Sequence, residues 1–158
     1  MDNPDGKAEG VLVTQGGKFG GYSLFIKDGK PTFVYNWGDS ARYTITSTES
    51  MPAGKSTIRF DFNWDGGQLG AGGTGAIFIN DQKKGEGRIE RTMMTAFSFD
   101  ETFSVGEASG TPAGDYRVPF RFTGKLERLT IDLGPEKLQP EQAKAVKEIQ
   151  EAASRARE

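Results

Sequence analysis

Apolar and polar residues alternate along most of the chain before Pro135. The clearest run is Ser56 to Trp64, where Ile58, Phe60, Phe62 and Trp64 fall on one face and Arg59, Asp61 and Asn63 on the other. Successive strand side chains point to opposite sides, so this pattern predicts a half-buried β-strand. Tyr22, Leu24 and Ile26 alternate in the same way with Ser23, Phe25 and Lys27. Phe33, Tyr35 and Trp37 oppose Val34 and Asn36, and Tyr43 and Ile45 oppose Arg42, Thr44 and Thr46. Val11-Leu12-Val13 and Ala76 to Ile79 predict two shorter, more apolar strands. Arg88 to Thr92 predicts an edge strand whose charges discourage intermolecular pairing. Phe97, Phe99, Phe103 and Val105 mark another strand region, interrupted by Asp100-Glu101. Leu126 to Leu133 predicts the last strand, with Leu129, Ile131 and Leu133 on one face. Between the strands, Asp28-Gly29 and Asn80-Asp81 are tight-turn signals, because both residue types reach positive φ at low cost. Gly106 to Val118 predicts a long loop, a feature that is usually functional or mobile in compact domains.

The period changes after residue 134. Pro140 sits where a first helical residue belongs, with Glu141 in the first turn and Arg155 and Arg157 in the last. Ala143, Val146, Ile149 and Ala153 form a thin apolar stripe at helical spacing. The chain therefore divides into a polar leader at 1–9, a β-domain at 10–133, and a linker with a C-terminal helix at 134–158. Several strands joined by hairpin turns, with no helix between them, predict an all-β fold: an antiparallel β-sandwich followed by one α-helix.

Composition narrows the chemistry more than the fold. The 158 residues are enough for one domain with a real core. Glycine, at 22 residues, is well above the average of about 7%. A net charge of −2 with no basic stripe argues against a nucleic-acid partner. No apolar run approaches the ~20 residues of a membrane-spanning helix. With no cysteine and no histidine, the chain has no thiol nucleophile, no Ser-His-Asp triad and no Cys- or His-ligated metal site. The polar, acidic start at Met1 does not read as a signal peptide.

Four features carry candidate chemistry. Six glycines between Gly66 and Gly75 suggest a phosphate loop, but a strand follows in place of the Lys-Ser/Thr and helix such a loop requires, so a flexible strand connection is expected. Asp100, Glu101, Glu107 and Asp115 are the densest acidic set near the long loop, and with loop carbonyls they offer the oxygen ligands that calcium prefers. Trp37, Trp64 and Tyr116 are the aromatic candidates for stacking on a sugar. Trp37 and Trp64 share strand faces with apolar residues, so core packing is their default; Tyr116, between Asp115 and Arg117, is expected to be an exposed contact. Paired carboxylates about 5–9.5 Å apart would suit a glycoside-acting enzyme, but the sequence singles out no pair.

The ordered series of motifs resembles a known family. The run from Gly10 to Asn36, then Phe60-Asp-Phe-Asn-Trp-Asp-Gly-Gly, Gly72-Gly-Thr-Gly, Gly85-Glu-Gly-Arg-Ile-Glu, Asp100-Glu-Thr-Phe-Ser-Val-Gly-Glu and Phe120-Arg-Phe-Thr-Gly-Lys-Leu-Glu-Arg-Leu-Thr-Ile-Asp-Leu, is similar to the C-terminal region of large bacterial arylsulfatases. The resemblance covers nearly all of Gly10 to Leu133. Its closing run is also similar to the last strand of concanavalin A-like and laminin-G-like sandwiches, which implies a jelly-roll architecture.

Sulfatases convert the first residue of a Cys/Ser-x-Pro-Ser-Arg motif to formylglycine. This chain has Ser50-Met51-Pro52, but Ala53 and Gly54 stand where Ser and Arg should follow, so Ser50 reads as a turn residue and no catalytic residue carries over. The resemblance thus implies a non-catalytic accessory domain. Its partner would be a sulfatase catalytic domain in the same parent chain, and it would be periplasmic or secreted if that parent carries a signal peptide. The alternative expectation is a stand-alone, lectin-like glycan-binding module with calcium as its ion.

Overall fold

The computed structural model describes residues 1–38, 40–94, 97, 103–134 and 139–155. Phe99, Asp100, Glu101 and Arg157 lie outside the described residues, as does the side chain of Ala153. In chain order the strands are β1 (Asp2–Asn3), β2 (Gly10–Gly17), β3 (Gly20–Lys27), β4 (Lys30–Trp37), β5 (Ala41–Thr46), β6 (Gly54–Lys55), β7 (Ile58–Trp64), β8 (Ala71–Ile79), β9 (Gln82–Arg91), β10 (Phe103–Val105), β11 (Glu107–Ala108) and β12 (Phe120–Arg121). A single helix, α1 (Pro140–Arg155), follows.

These strands form a two-layered, sandwich-like body, mostly antiparallel. The large sheet runs β11-β12-β2-β3-β4-β5, with β10 also pairing β2. The small sheet is the meander β7-β8-β9, and β1 pairs β6 separately. The hairpins follow from local chemistry. Asp28 and Gly29 adopt φ of 53° and 72° between β3 and β4, and Asn80 and Asp81 adopt 49° and 64° between β8 and β9. Both are two-residue turns with positive φ at each position, the geometry that matches strand twist.

Alternation in β3, β4 and β5 sorts their side chains as the sequence pattern predicts. Leu24, Ile26, Phe33, Tyr35 and Ile45 enter the core between the sheets, where Ile77, Ile79 and Ile89 of the small sheet meet them. Phe25 and Val34 point to the other face. In β2 a bulge between Val11 and Val13 shifts the register, so Val11 joins the second face while Leu12 and Val13 both enter the main core. The sheets also meet at one edge: Thr48 donates its N–H to Lys84 O at 2.6 Å, and the Lys84 ammonium reaches Glu49 at 2.8 Å.

The polar leader at 1–9 is anchored to the body, and three expectations change. Asn3 is fully buried, accepts the Ala8 N–H on its side-chain oxygen at 2.8 Å and donates to Pro52 O at 3.3 Å. The segment 106–118 folds against the second face of the large sheet and buries Ala108, Ala113 and Tyr116 there. Residues 126–133 do not form a strand: Leu129, Ile131 and Leu133 are exposed, because no described strand lies beside them to pair with. The glycine-rich connection is also shorter than expected, since Gly72, Gly73 and Gly75 belong to β8.

The helix begins at Pro140 as predicted, with Glu141 in its first turn and Arg155 in its last. Gln142 accepts the Gln139 N–H and donates to Gly67 O at 2.7 Å, touching the glycine-rich turn. Ile149 remains exposed, so the thin apolar stripe adds little to the core.

Candidate functional site

The glycines of β8 create the most distinctive feature. β7 and β8 are in antiparallel register, with Phe60 opposite Ile77, Phe62 opposite Gly75 and Trp64 opposite Gly73. A Cβ on Gly73 would lie 2.5 Å from the Phe62 ring, and one on Gly75 would lie 2.7 Å from the Phe60 ring. Two phenylalanine rings thus lean across a strand that has no side chains to displace them. Phe60 stacks on Phe33 of the large sheet with ring centroids 3.6 Å apart and planes within 10°. Phe62 remains 41% exposed at the mouth.

Behind it lies a cleft of about 250 Å³ between the sheets. Tyr22, Tyr35, Ile89 and Phe97 complete its walls, with Phe97 set edge-on to both tyrosines at 5.6 and 5.7 Å. Among the described residues no charged side chain lines it. Burial pushes the hydroxyl pKa of Tyr22 up. It does the same for Tyr35, against the opposing effect of the Met93 N–H, which donates to its oxygen at 2.8 Å. Both phenols are therefore neutral near pH 7, and the cleft is suited to holding apolar groups, not to moving protons.

The opposite face of the large sheet carries a second groove of about 270 Å³, and it is polar. Phe25 and Val34 form its floor, and Thr32, Thr44 and Thr46 line it with hydroxyls. Lys27 closes one end by donating to the Asp115 carbonyl at 2.7 Å and to its carboxylate at 3.3 Å.

The sequence-predicted residues do not converge on either cleft. Tyr116 is not an exposed contact: it is 8% exposed, lies edge-on to Phe25 at 4.9 Å and keeps its hydroxyl buried without a hydrogen-bond partner. It was misplaced because a loop position between two charged residues gives no sign of the sheet face beneath it. Trp37 is half-buried on the main-core side of the large sheet, opposite to Tyr116, with the Arg91 guanidinium 4.8 Å above its ring. Trp64 is half-buried and donates its indole N–H to Ala71 O at 2.9 Å, closing the base of the glycine-rich turn. The three aromatics thus form no common platform.

Of the acidic set, Glu107 accepts two bonds from the Arg121 guanidinium, at 3.1 and 2.9 Å, and Asp115 is paired with Lys27. Both carboxylates already face a cation. Asp100 and Glu101 lie outside the described residues. Among the described residues no three acidic side chains converge as a metal site would require.

Comparison with protein-family models, with curated proteins and with solved structures finds no match. The functional reading therefore rests on the sequence motifs and on the two clefts.

Sequence reasoning missed the apolar cleft, since it assigned Tyr22, Phe33, Phe60 and Phe62 simply to strand faces. The signal that points to it is the coincidence of an aromatic strand with a glycine-rich partner in the next strand. Phe60 and Phe62 on β7 need Gly73 and Gly75 on β8, and the two sets are paired by register.

Proposed function

We propose that the chain is a non-catalytic accessory domain of the bacterial arylsulfatase type, with a jelly-roll, concanavalin A-like architecture, which docks on a sulfatase catalytic domain and supports it. The observation that carries this reading is the apolar cleft with Phe62 at its mouth. A cleft lined by aromatic rings, with neutral phenols and no charged side chain among the described residues, fits the burial of another protein's apolar side chains better than it fits a sulfated substrate. The resemblance of the ordered motifs between Gly10 and Leu133 supports the family reading, and the incomplete Ser50-Met51-Pro52 motif supports a non-catalytic role.

The test mixes the purified chain with an arylsulfatase catalytic domain truncated before its C-terminal region. Saturable association that raises the melting temperature of the catalytic domain is expected, with no aryl sulfate hydrolysis by the chain alone. Hydrolysis by the chain alone, or no association, would sink the proposal.

The polar groove favours a second reading as a glycan-binding module, because three threonine hydroxyls line it beside Lys27 and Asp115. A glycan array probed with and without a chelator tests it. Binding abolished by Thr44→Val would support the groove, and an array with no signal would remove it.

A further inference from the structure

The polar groove on the outer face of the large sheet carries a charge pattern that packing does not require. Lys27 and Lys30 are directly opposite each other at the end of the β3–β4 hairpin, and both line the groove. Like charges that face each other across a strand pair are destabilising. Asp115 compensates one of them, since its carbonyl and carboxylate accept from the Lys27 ammonium at 2.7 and 3.3 Å. Lys30 is half-buried, and among the described residues no carboxylate pairs with it. The groove therefore holds one ammonium whose charge no described residue answers.

Hydroxyl groups continue from that ammonium along the sheet. Thr32 lies two residues beyond Lys30 on the same face of β4, about 6.8 Å along the strand. Thr46 is directly opposite Thr32, and Thr44 is opposite Val34. Thr32 donates to Thr46 Oγ1 at 3.2 Å, which leaves Thr46 its own O–H to donate. Among the described residues Thr44 spends its hydroxyl on no partner. Lys30, Thr44 and Thr46 are all donors, so the middle of the groove suits an acceptor-rich ligand.

The acidic residues limit how much negative charge that ligand carries. Asp115 is tied to Lys27, and Asp28 is exposed on the hairpin turn at the rim. Two lysines and two aspartates leave the lining with no net charge. A ligand with several anionic groups meets repulsion at the rim, whereas one with a single anionic group finds Lys30. The groove, at about 270 Å³, is smaller than the ~300–1,000 Å³ of sites for drug-sized ligands, which suits one ring in place of a long segment.

We propose that the groove is a subsite for a singly charged acidic sugar, a uronate, whose carboxylate accepts from the Lys30 ammonium while its ring hydroxyls bond Thr44 and Thr46. A carboxylate on an ammonium makes a charge-assisted bond, stronger than the neutral bond of a hydroxymethyl group at the same place. Lys30 is then the specificity-determining residue, and the threonines hold the ring of acidic and neutral sugars alike. This names the ligand class of the groove and rests on the glycan-binding reading given for it above.

The probes are methyl glucuronide and methyl glucoside, which differ only in a carboxylate or a hydroxymethyl group at one carbon. Each is titrated into the full chain while amide and methyl chemical shifts are followed. Saturable shifts at Lys30, Thr32, Thr44 and Thr46 are expected with both. The glucuronide is expected to bind about three- to tenfold more tightly at low salt. That advantage is expected to shrink as ionic strength rises toward ~0.5 M, because the lysine is only half-buried. Lys30→Gln is expected to remove the advantage and Lys30→Arg to keep it, while Thr44→Val weakens binding of both glycosides.

Equal affinity for the two glycosides, or an advantage that survives Lys30→Gln, overturns the uronate subsite and leaves the glycan-binding reading standing. Sodium acetate or sulfate binding as tightly as the glucuronide also overturns it, because the site would then be one for an anion without regard to the sugar. No shift with either glycoside overturns the subsite, and a glycan array without signal removes the broader reading as well.

Discussion

Substituting Gly75 by alanine separates two explanations of the glycine-rich run. If these glycines supply loop flexibility, Gly75→Ala should stabilise the protein by about 0.4–1 kcal/mol, because it restricts the unfolded chain. The structure predicts the opposite sign. The added methyl would lie 2.6 Å from Ile45 Cδ1 and 2.7 Å from the Phe60 ring, closer than van der Waals contact permits. Overpacking of this kind costs about 1–3 kcal/mol. After the unfolded-state gain is subtracted, a net loss of up to about 2.5 kcal/mol remains, centred near ~1.3 kcal/mol, a fall of roughly 3–5 °C in melting temperature at that centre for a domain of this size. Urea denaturation followed by two probes gives the value and checks two-state behaviour. Ile45→Val removes the methyl that the new Cβ strikes, so the double variant should recover part of the loss, with a coupling of at least ~0.5 kcal/mol. A stabilised Gly75→Ala, or strict additivity with Ile45→Val, would refute the packing account of the cleft.

Two further outcomes follow from the site geometry. Tyr116→Phe removes a buried hydroxyl that has no partner, so its stability should match or exceed the parent by up to ~1 kcal/mol, whereas Tyr116→Ala should lose about 3–5 kcal/mol in chemical denaturation. Asp65 is bound end-on by both terminal nitrogens of the Arg88 guanidinium, whose hydrogen bonds hold its carboxyl below the usual carboxylate range. A lowered folded-state pKa contributes stability that is complete above the unfolded value and is lost as pH falls through the folded one. Asp65→Asn should therefore flatten the acid limb of the urea midpoint against pH, below about pH 4, and leave the difference between variants constant from pH 5 to 8. A variant that diverges from the parent only above pH 6 would contradict this.

The strands that were legible in the sequence are those whose side chains alternate in type, whether their faces differ in burial, as in β5 and β7, or are both buried, as in β3 and β4. In β3, β4, β5 and β7 the alternation of side chains is written directly in residue type, and the two-residue turns at Asp28-Gly29 and Asn80-Asp81 carry their own backbone signal. The errors have one physical origin, since period 2 reports which way a side chain points but not whether a neighbouring strand exists. Leu129, Ile131 and Leu133 alternate as well as any strand residues, yet no described strand pairs with the segment that carries them. The converse holds at β8, where glycine's low strand propensity suggested loop, while the demand of Phe60 and Phe62 for ring space placed Gly73 and Gly75 in a strand. The cover formed by Ala108, Ala113 and Tyr116 depends on contacts with Phe25 and Val34, distant in sequence, and no local pattern encodes it.

The central claim, a non-catalytic domain that docks through apolar surface, is tested most directly by calorimetric titration of the chain into an arylsulfatase catalytic domain truncated before its C-terminal region. Saturable one-to-one binding with a negative heat-capacity change, the mark of apolar burial, is predicted, together with no aryl sulfate turnover by the chain alone. Absence of binding heat at several temperatures, or turnover by the isolated chain, would contradict the account.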